Sequence, residues 1–225
     1  MYLNADFTTR ASVHAAALPW LPSPIPGVDR RMLDRVGEEV ARATSVVRYA
    51  PGSQFSPHTH GGGEEFLVLD GVFQDEHGDF PVGSYIRNPP TSWHTPGSLL
   101  GCTIFVKLWQ FDLADRVGVR IDTAHFPLAP AEPGVQAGTL FQDVGEHVTL
   151  EHWDGGAVVE RALPGGLELL VLEGSLAEGG EAFSVQSWLR LPAGAVLRAV
   201  AGAAGCRVWV KTGHLARPLG TAPPG

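Results

Sequence analysis

The sequence has little cysteine: Cys102 and Cys206 are the only two among its 225 residues. Two cysteines are too few for the disulfide framework that stabilises small secreted proteins. No apolar run approaches the roughly 18 residues that a membrane-spanning helix needs. The N-terminal residues lack the charged stretch and apolar core of a signal peptide. These absences predict a cytoplasmic protein that is not inserted in a membrane.

Positive charge is also scarce. Lys and Arg number 16 against 24 Asp and Glu, the formal net charge is −8, and the basic residues form no cluster. Nucleic acids and anionic membranes attract proteins with a concentrated positive surface. We therefore expect neither nucleic acid nor membrane among the partners of this protein.

Glycine and proline, in contrast, are abundant, with 28 and 18 residues. These residues mark turns, so many short elements are expected. Between the turns lie short apolar and β-branched runs, among them residues 44–49, 65–69 and 102–108. Short strands at near-regular spacing are typical of an all-β sandwich or barrel.

The strand pattern of the first half recurs in the second. Residues 65–71 (EFLVLDG) are echoed by 168–174 (ELLVLEG), and 101–107 (GCTIFVK) by 205–211 (GCRVWVK). An ordered internal repeat indicates two copies of one structural unit. The predicted organisation is an N-terminal extended arm (1–30), a metal-binding domain (31–115), a linker (116–137), a degenerate second domain (138–216) and a C-terminal tail (217–225).

A group of histidines precedes the first of these strands. His58 and His60 are two residues apart, so on a strand both imidazoles project to one face. Glu64 follows after three glycines, which allow the chain to turn without steric cost. His94 lies thirty residues further on, after a proline-containing turn at 88–90 that can return the chain beside the first strand.

Three imidazoles and one carboxylate form a mixed nitrogen and oxygen ligand set. Such ligands suit divalent Fe, Zn, Mn, Ni or Cu ions. Four protein ligands leave a position open on a metal that prefers five or six, and catalysis or ligand sensing needs such a position. A closed tetrahedral zinc site would instead be structural. We predict one divalent transition-metal ion held by His58, His60, Glu64 and His94, with a small molecule as ligand or substrate and the catalytic residues unassigned.

The same residues carry a family resemblance. The pattern G-x5-HxH-x3-E-x6-G is matched by Gly52, His58, His60, Glu64 and Gly71. The pattern G-x5-PxG-x2-H-x3-N is matched by Gly83, Pro89 and His94, but Thr91 and Ser98 stand where Gly and Asn are usual. These are the two cupin motifs, and the first half resembles the ChrR-like cupin group, which includes the C-terminal half of the anti-sigma factor ChrR. The resemblance implies an all-β bicupin of two tandem cupin (jelly-roll or double-stranded β-helix) barrels, the second degenerate.

The second copy lacks the ligand set. Its HxH segment is deleted, Leu167 stands where Glu64 stands, and Arg198 falls near the place of His94. We predict that this barrel holds no metal and serves packing or dimerisation. An anion pocket that uses Arg198 is the alternative.

The remaining histidines are weaker candidates for ligands. His77 lies in a polar hairpin tip, where we expect exposure to solvent. His147 and His152 flank residues that read as strand, so we do not predict a second metal site there.

Other polar and reactive side chains have no assigned role. Cys102 and Cys206 take matching places in the repeat, and buried cysteine usually behaves as a small hydrophobe. Arg87 and Lys107 could anchor an anionic substrate if they face the barrel interior, which the sequence pattern does not decide.

Three functions are compatible with this site, because one barrel hosts many chemistries. The resemblance implies a metal-dependent (Fe(II)-type) dioxygenase acting on a small carbonyl or hydroxyketone compound. It also implies a ChrR-like regulatory or stress-sensing module without turnover, although the first forty residues hold no cysteine and only His14, so we do not expect the zinc-binding anti-sigma domain. A storage or structural role is the third. The proline-rich segment 19–26 favours a homodimer.

Overall fold

The structure, a computed structural model, describes residues 1–38 and 40–216. The predicted C-terminal tail, 217–225, lies outside the described residues. Within them the chain consists of strands and turns, with two single-turn 3-10 helices at Ala15–Ala17 and His214–Ala216. No helix in these ranges is long and apolar enough to cross a membrane. The predicted all-β class is confirmed.

The described residues form 22 strands. Strands β1 to β14 are Tyr2–Leu3, Ala11–His14, Leu21–Pro22, Val28–Gly37, Ala41–Tyr49, Ser53–Gln54, His58–Thr59, Glu64–Asp75, Gly78–Pro81, Ser84–Asn88, Trp93–His94, Gly97–Ser98, Cys102–Leu108 and Val119–Asp122. Strands β15 to β22 are Ala129–Glu132, Val135–Gln142, His147–Trp153, Val158–Leu163, Leu167–Glu178, Glu181–Ser184, Ser187–Leu191 and Ala195–Thr212.

The first of two compact units contains residues 1–5 and 18–125. Its sheet runs in the order β1-β4-β5-β13-β8-β10-β14. The proline-rich segment lies extended, because β3 pairs with β4 of the same unit. The indole of Trp20 anchors this segment, with the guanidinium groups of Arg31 and Arg48 at 4.1 and 4.5 Å from its ring centroid.

The second unit contains residues 6–17 and 126–216. Its sheet runs β15-β16-β17-β22-β19-β21-β2, which matches the first sheet strand for strand from β4 to β14. The predicted duplication is confirmed. Strand β2, from the N-terminal segment, takes the place beside β21 that β14 takes beside β10. The internal repeat does not reveal this exchange, because β2 lies outside both copies.

The repeated segments 65–71 and 168–174 both end in a glycine, and the backbone conformation at this position explains why. Gly71 and Gly174 both have a φ of +69°, a conformation that glycine adopts without steric penalty. A Cβ at either position would lie 2.1 Å from a backbone oxygen, that of Gly101 or Gly205. The paired strands therefore approach each other too closely for a side chain at this bend of β8 and β19.

Candidate metal centre

Strand pairing brings the three predicted histidine ligands together. β7 pairs antiparallel with β11, so His94 stands opposite His58. The backbone N–H of His60 donates to the carbonyl of Ser92, and that of Thr91 donates to the carbonyl of His60, both at 2.9 Å. The three imidazole centroids lie 4.6 to 5.2 Å apart. One nitrogen of each ring lies within 4.8 Å of the others, an arrangement that could hold a metal ion.

The fourth predicted ligand comes from the start of β8. Oε2 of Glu64 lies 3.3 Å from Nε2 of His60 and 3.6 Å from Nε2 of His94. The amide of Asn88 donates to the same oxygen at 3.2 Å. His60, Glu64 and His94 are 7, 8 and 2% exposed, whereas His58 is exposed. Solvent and small molecules can therefore reach the four side chains from the side of His58.

Hydrogen bonds determine which nitrogen of each ring carries the proton. The hydroxyl of Ser92 donates to the carbonyl of Pro89 at 2.6 Å, so towards Nδ1 of His60, 3.0 Å away, it acts as acceptor. Nδ1 of His58 lies 3.3 Å from the carbonyl of Ser56, which can only accept. Both rings therefore carry their proton on Nδ1 and keep a lone pair on Nε2, the form in which neutral imidazole binds metals.

These residues fit a divalent ion. Nε2 of His60 is buried without a hydrogen-bond partner, although it lies 3.3 Å from the Glu64 carboxylate. A lone pair beside a carboxylate oxygen is unfavourable in a buried position unless a cation lies between them. The three-nitrogen, one-oxygen donor set suits a divalent transition metal.

Burial and neighbouring groups hold two of these side chains in the protonation state that metal binding needs. Burial raises the pKa of Glu64, but positive charge and hydrogen-bond donors at His60 and His94 and the amide of Asn88 lower it by a larger amount, so the net shift is downward. When the two rings are neutral, a bound cation would supply the positive charge beside this carboxylate. Although the His58 residue is exposed, one side of its ring is covered, and this partial loss of hydration lowers its pKa against a smaller opposite effect of the Ser56 carbonyl. The carboxylate thus stays ionised and the His58 ring stays neutral at neutral pH.

Acidification is expected to release the metal. Because imidazole must be neutral to bind, protons compete with the ion as the pH falls into the range in which histidine is protonated. The lowered pKa of His58 makes this ring resist protonation more than an ordinary histidine does. Metal affinity measured by chelator competition should be flat above pH 7 and fall steeply from about pH 6 to pH 5. An affinity that does not change over this range would contradict ligation by imidazole.

The glycines between His60 and Glu64 have a role that the sequence did not reveal. A Cβ at Gly62 would lie 2.2 Å from the Trp109 ring, and one at Gly63 would lie 2.4 Å from the Phe111 ring. Two aromatic side chains after β13 therefore pack directly on the backbone of the ligand loop. Side chains in this loop would displace the aromatic rings and with them His60.

In the second repeat, different residues occupy the equivalent positions. Leu167 pairs with Leu191 as Glu64 pairs with Asn88. His94 follows Asn88 by six residues, and Leu197 follows Leu191 by the same number. Leu197, and not Arg198, therefore takes the position of the histidine. Leu197 is fully buried.

The alternative interpretation of Arg198, an anion pocket inside the second repeat, is wrong. Its side chain is 68% exposed and lies 3.3 Å from the carboxylate of Glu160. Arg161, which pairs with Leu197 where His58 pairs with His94, lies inward instead. The interior of this repeat is filled by apolar side chains such as Leu167 and Leu197.

Arg87 and Lys107 do not face the site. Their neighbours Ile86 and Val106 belong to the interior apolar cluster, and successive strand residues point to opposite faces. Arg87 instead contacts the carboxylate of Asp115 at 3.1 Å, and Lys107 donates to the hydroxyl of Thr44 at 2.9 Å. The suggestion that they anchor an anionic substrate inside the barrel is wrong.

His77, His147, His152 and the two cysteines are not among the side chains that converge at the site. His147 and His152 lie five residues apart on β17 and so point to opposite faces. His77 has a side chain that is 45% exposed. Cys102 and Cys206 are buried, and burial raises the pKa of their thiols to about 11 and about 12. These thiols stay protonated at neutral pH, as expected of small core residues.

Comparison with known proteins identifies the first repeat. Residues 8–112 match the family model described as a ChrR cupin-like domain. No curated protein matches the chain. Solved structures that resemble it share the cupin fold, including a conserved barrel domain protein of the cupin 2 type from Leptotrichia buccalis (12% identity, TM-score 0.60, 89% of this chain and 95% of that one).

Two further structures resemble this chain over most of its length. One is a protein from Nostoc punctiforme that is provisionally described as a dioxygenase. The match spans 100% of this chain and 87% of that one, at 15% identity and a TM-score of 0.72. The other is the oxalate decarboxylase of Lactobacillus farciminis. That match spans 91% of this chain and 86% of that one, at 10% identity and a TM-score of 0.62. At these identities the likeness shows the fold alone.

Proposed function

We propose that the first repeat binds one divalent transition-metal ion through His58, His60, Glu64 and His94, and that the protein is an Fe(II)-type dioxygenase acting on a small carbonyl or hydroxyketone compound. The observation that carries the proposal is the convergence of the three imidazoles and the carboxylate, with the buried Nε2 of His60 lacking a hydrogen-bond partner. The provisional description of the Nostoc punctiforme structure agrees with this chemistry.

The surroundings of the four side chains suit a small, weakly polar substrate. When bound, a redox-active ion supplies Lewis acidity and one-electron chemistry at this position. Beneath the ligands the interior is apolar, with Phe66, Phe73 and Ile104 buried and the Phe73 ring 5.7 Å from the His94 ring. Apolar walls with few polar groups are typical of small-molecule sites. The exposed side of His58 provides the approach.

The reaction needs no reductant besides the substrate. An α-hydroxyketone and one molecule of dioxygen together contain every atom of two carboxylic acids, formed when the bond between the carbonyl and carbinol carbons breaks. Both oxygen atoms of dioxygen end in the products. This stoichiometry distinguishes dioxygen cleavage from hydrolysis or decarboxylation, neither of which consumes oxygen.

Oxygen uptake by the reconstituted protein tests the proposal. The protein is loaded anaerobically with Fe(II) and then supplied with oxygen and a panel of small ketones and hydroxyketones. We expect uptake of one dioxygen for each substrate cleaved. The same protein loaded with Zn(II), which has no redox chemistry, should consume none. Absence of uptake with Fe(II) across the panel would refute the enzymatic assignment.

A regulatory or stress-sensing module without turnover is the second candidate. The match of residues 8–112 to the ChrR cupin-like domain favours it. In this case the metal-loaded protein, used as bait, should retain a sigma factor that the His60→Ala variant releases. The homodimer and the cytoplasmic location stay predictions.

A further inference from the structure

His94 is held from both sides by the two ends of one strand. Strand β8 begins at Glu64 and ends at Asp75. Oε2 of Glu64 lies 3.6 Å from Nε2 of His94, and Oδ2 of Asp75 lies 3.4 Å from Nδ1 of the same ring. Twelve extended residues span roughly 36 Å, so β8 must curl around the unit for its ends to meet. The bend at Gly71 is part of this curvature.

The contact of Asp75 with His94 is buried, and further hydrogen bonds hold the hairpin that supplies it. The side chains of Asp75 and His94 are 1 and 2% exposed. The second oxygen of Asp75 accepts the backbone N–H of His77 at 2.7 Å, which orients the carboxylate. Next to it, Glu76 accepts the backbone N–H of Thr95 at 2.8 Å. The hairpin tip 75–77 therefore contacts both the ring of His94 and the backbone that follows it.

We propose that Asp75 is a positioning residue that sets the tautomer and the ring plane of His94. This inference rests on the proposed function, because it treats His94 as a metal ligand. A carboxylate can only accept a hydrogen bond, so its contact places the His94 proton on Nδ1 and leaves Nε2 with a lone pair. The lone pair then faces Glu64 and the other two imidazoles.

Asp75 differs from the groups that orient the other two rings. Nδ1 of His58 faces a backbone carbonyl and Nδ1 of His60 faces the Ser92 hydroxyl, both neutral oxygens. A charged acceptor binds the ring N–H more strongly than a neutral one and makes the opposite nitrogen more basic. His94 is thus the ligand whose affinity for the ion depends most on its partner.

Asp75, Glu76 and His77 also place ligand atoms within 4.8 Å of one another. Glu76 and His77 are exposed, and the Asp75 carboxylate divides its contacts: Oδ2 faces the His94 ring, whereas Oδ1 faces the backbone N–H and the ring of His77. We therefore assign Asp75 to His94 and use His77 as the control that separates the two roles.

The test compares Asp75→Asn with the parent protein. In Asp75 one oxygen accepts the backbone N–H of His77 and the other faces Nδ1 of His94. Asparagine has only one acceptor oxygen, so if that oxygen keeps the His77 N–H, the amide NH2 faces His94 and the contact with its ring N–H is lost. Loss of such a partner weakens metal binding by about 10–100-fold. We expect this loss in Co(II) affinity, measured by chelator competition, together with an altered Co(II) absorption spectrum. Glu76→Gln keeps an oxygen for the Thr95 N–H. His77→Ala removes the 3.3 Å contact of the His77 ring with Oδ1 of Asp75 but keeps the backbone N–H that orients this carboxylate, so both variants should bind Co(II) like the parent.

A second measurement does not depend on metal. Imidazole nitrogen-15 NMR of the apo protein should show His94 with its proton on Nδ1, and mixed tautomers in Asp75→Asn. Parent-like affinity and spectrum in Asp75→Asn, loss of affinity in His77→Ala, or an Nε2-protonated His94 in the parent would each overturn the role of Asp75. Failure of the parent to bind Co(II) would instead refute the proposed metal site itself, and with it this inference.

Discussion

A His60→Ala variant is expected to lose metal binding while its barrel stays folded. The imidazole of His60 is buried, its Nε2 has no hydrogen-bond partner, and it lies 3.3 Å from Glu64. Because loss of a group that merely orients a ligand weakens binding about 10–100-fold, loss of the ligand itself should exceed that range. Chelator competition with Co(II) or Zn(II), on protein purified without chelator, measures the effect.

The fold should survive because the second repeat folds without any of the four ligands. Its equivalent positions include the buried Leu167 and Leu197. Far-ultraviolet circular dichroism of apo His60→Ala should therefore match that of the apo parent. His77→Ala, on the exposed hairpin tip, is the matched control and should keep full affinity. A His60→Ala protein that is wholly unfolded would indicate a structural metal and contradict a functional site.

An Arg161→Leu variant is expected to destabilise the second repeat by about 3 kcal/mol, the lower end for removing one partner of a buried ion pair. The guanidinium of Arg161 contacts Glu151 at 2.8 Å and Glu132 at 2.6 Å. Glu151 is 3% exposed and would be left buried without its cation. The hydroxyl of Thr149 and the indole of Trp153 still donate to it, which limits the loss. Urea unfolding gives the free energy.

Two comparison variants make this result interpretable. Arg198→Leu removes an arginine whose side chain is 68% exposed and paired with the exposed Glu160, so it should change stability by less than about 0.5 kcal/mol. The double variant Arg161→Leu, Glu151→Leu removes both charges and should recover part of the stability; the recovery stays incomplete because the buried donors of Thr149 and Trp153 lose their acceptor. An Arg161→Leu protein as stable as the parent would show that this ion pair does not stabilise the repeat.

Much of the fold could be predicted from the sequence because its signals are local. Turn glycines and prolines separate short apolar runs, and strands follow from such runs without knowledge of their partners. The echo of 65–71 in 168–174 indicated the duplication in the same way. The grouping of His58, His60, Glu64 and His94 was predictable as well, because two of them alternate on one strand and the turn at 88–90 returns the chain.

The parts that sequence reasoning missed depend on contacts between distant residues. The sequence comparison placed Arg198 near the position of His94, but the structure has Leu197 there. The sequence alignment was off by one residue, and on a strand a shift of one residue moves a side chain to the opposite face. Arg87 and Lys107 were uncertain for the same reason. The exchange of β2 into the second unit joins residues that are about 170 apart in sequence, such as His14 and Ser187.

By itself, the sequence determined the all-β class, the two repeats and the set of four candidate metal ligands, because residue type and short spacing are enough to specify them. Only the tertiary structure decided what surrounds those ligands. The curl of β8 brings Asp75 to the far side of His94, and the rings of Trp109 and Phe111 come to lie on the ligand loop. Such contacts depend on how strands bend and pair across the fold, and no local pattern of residues encodes that.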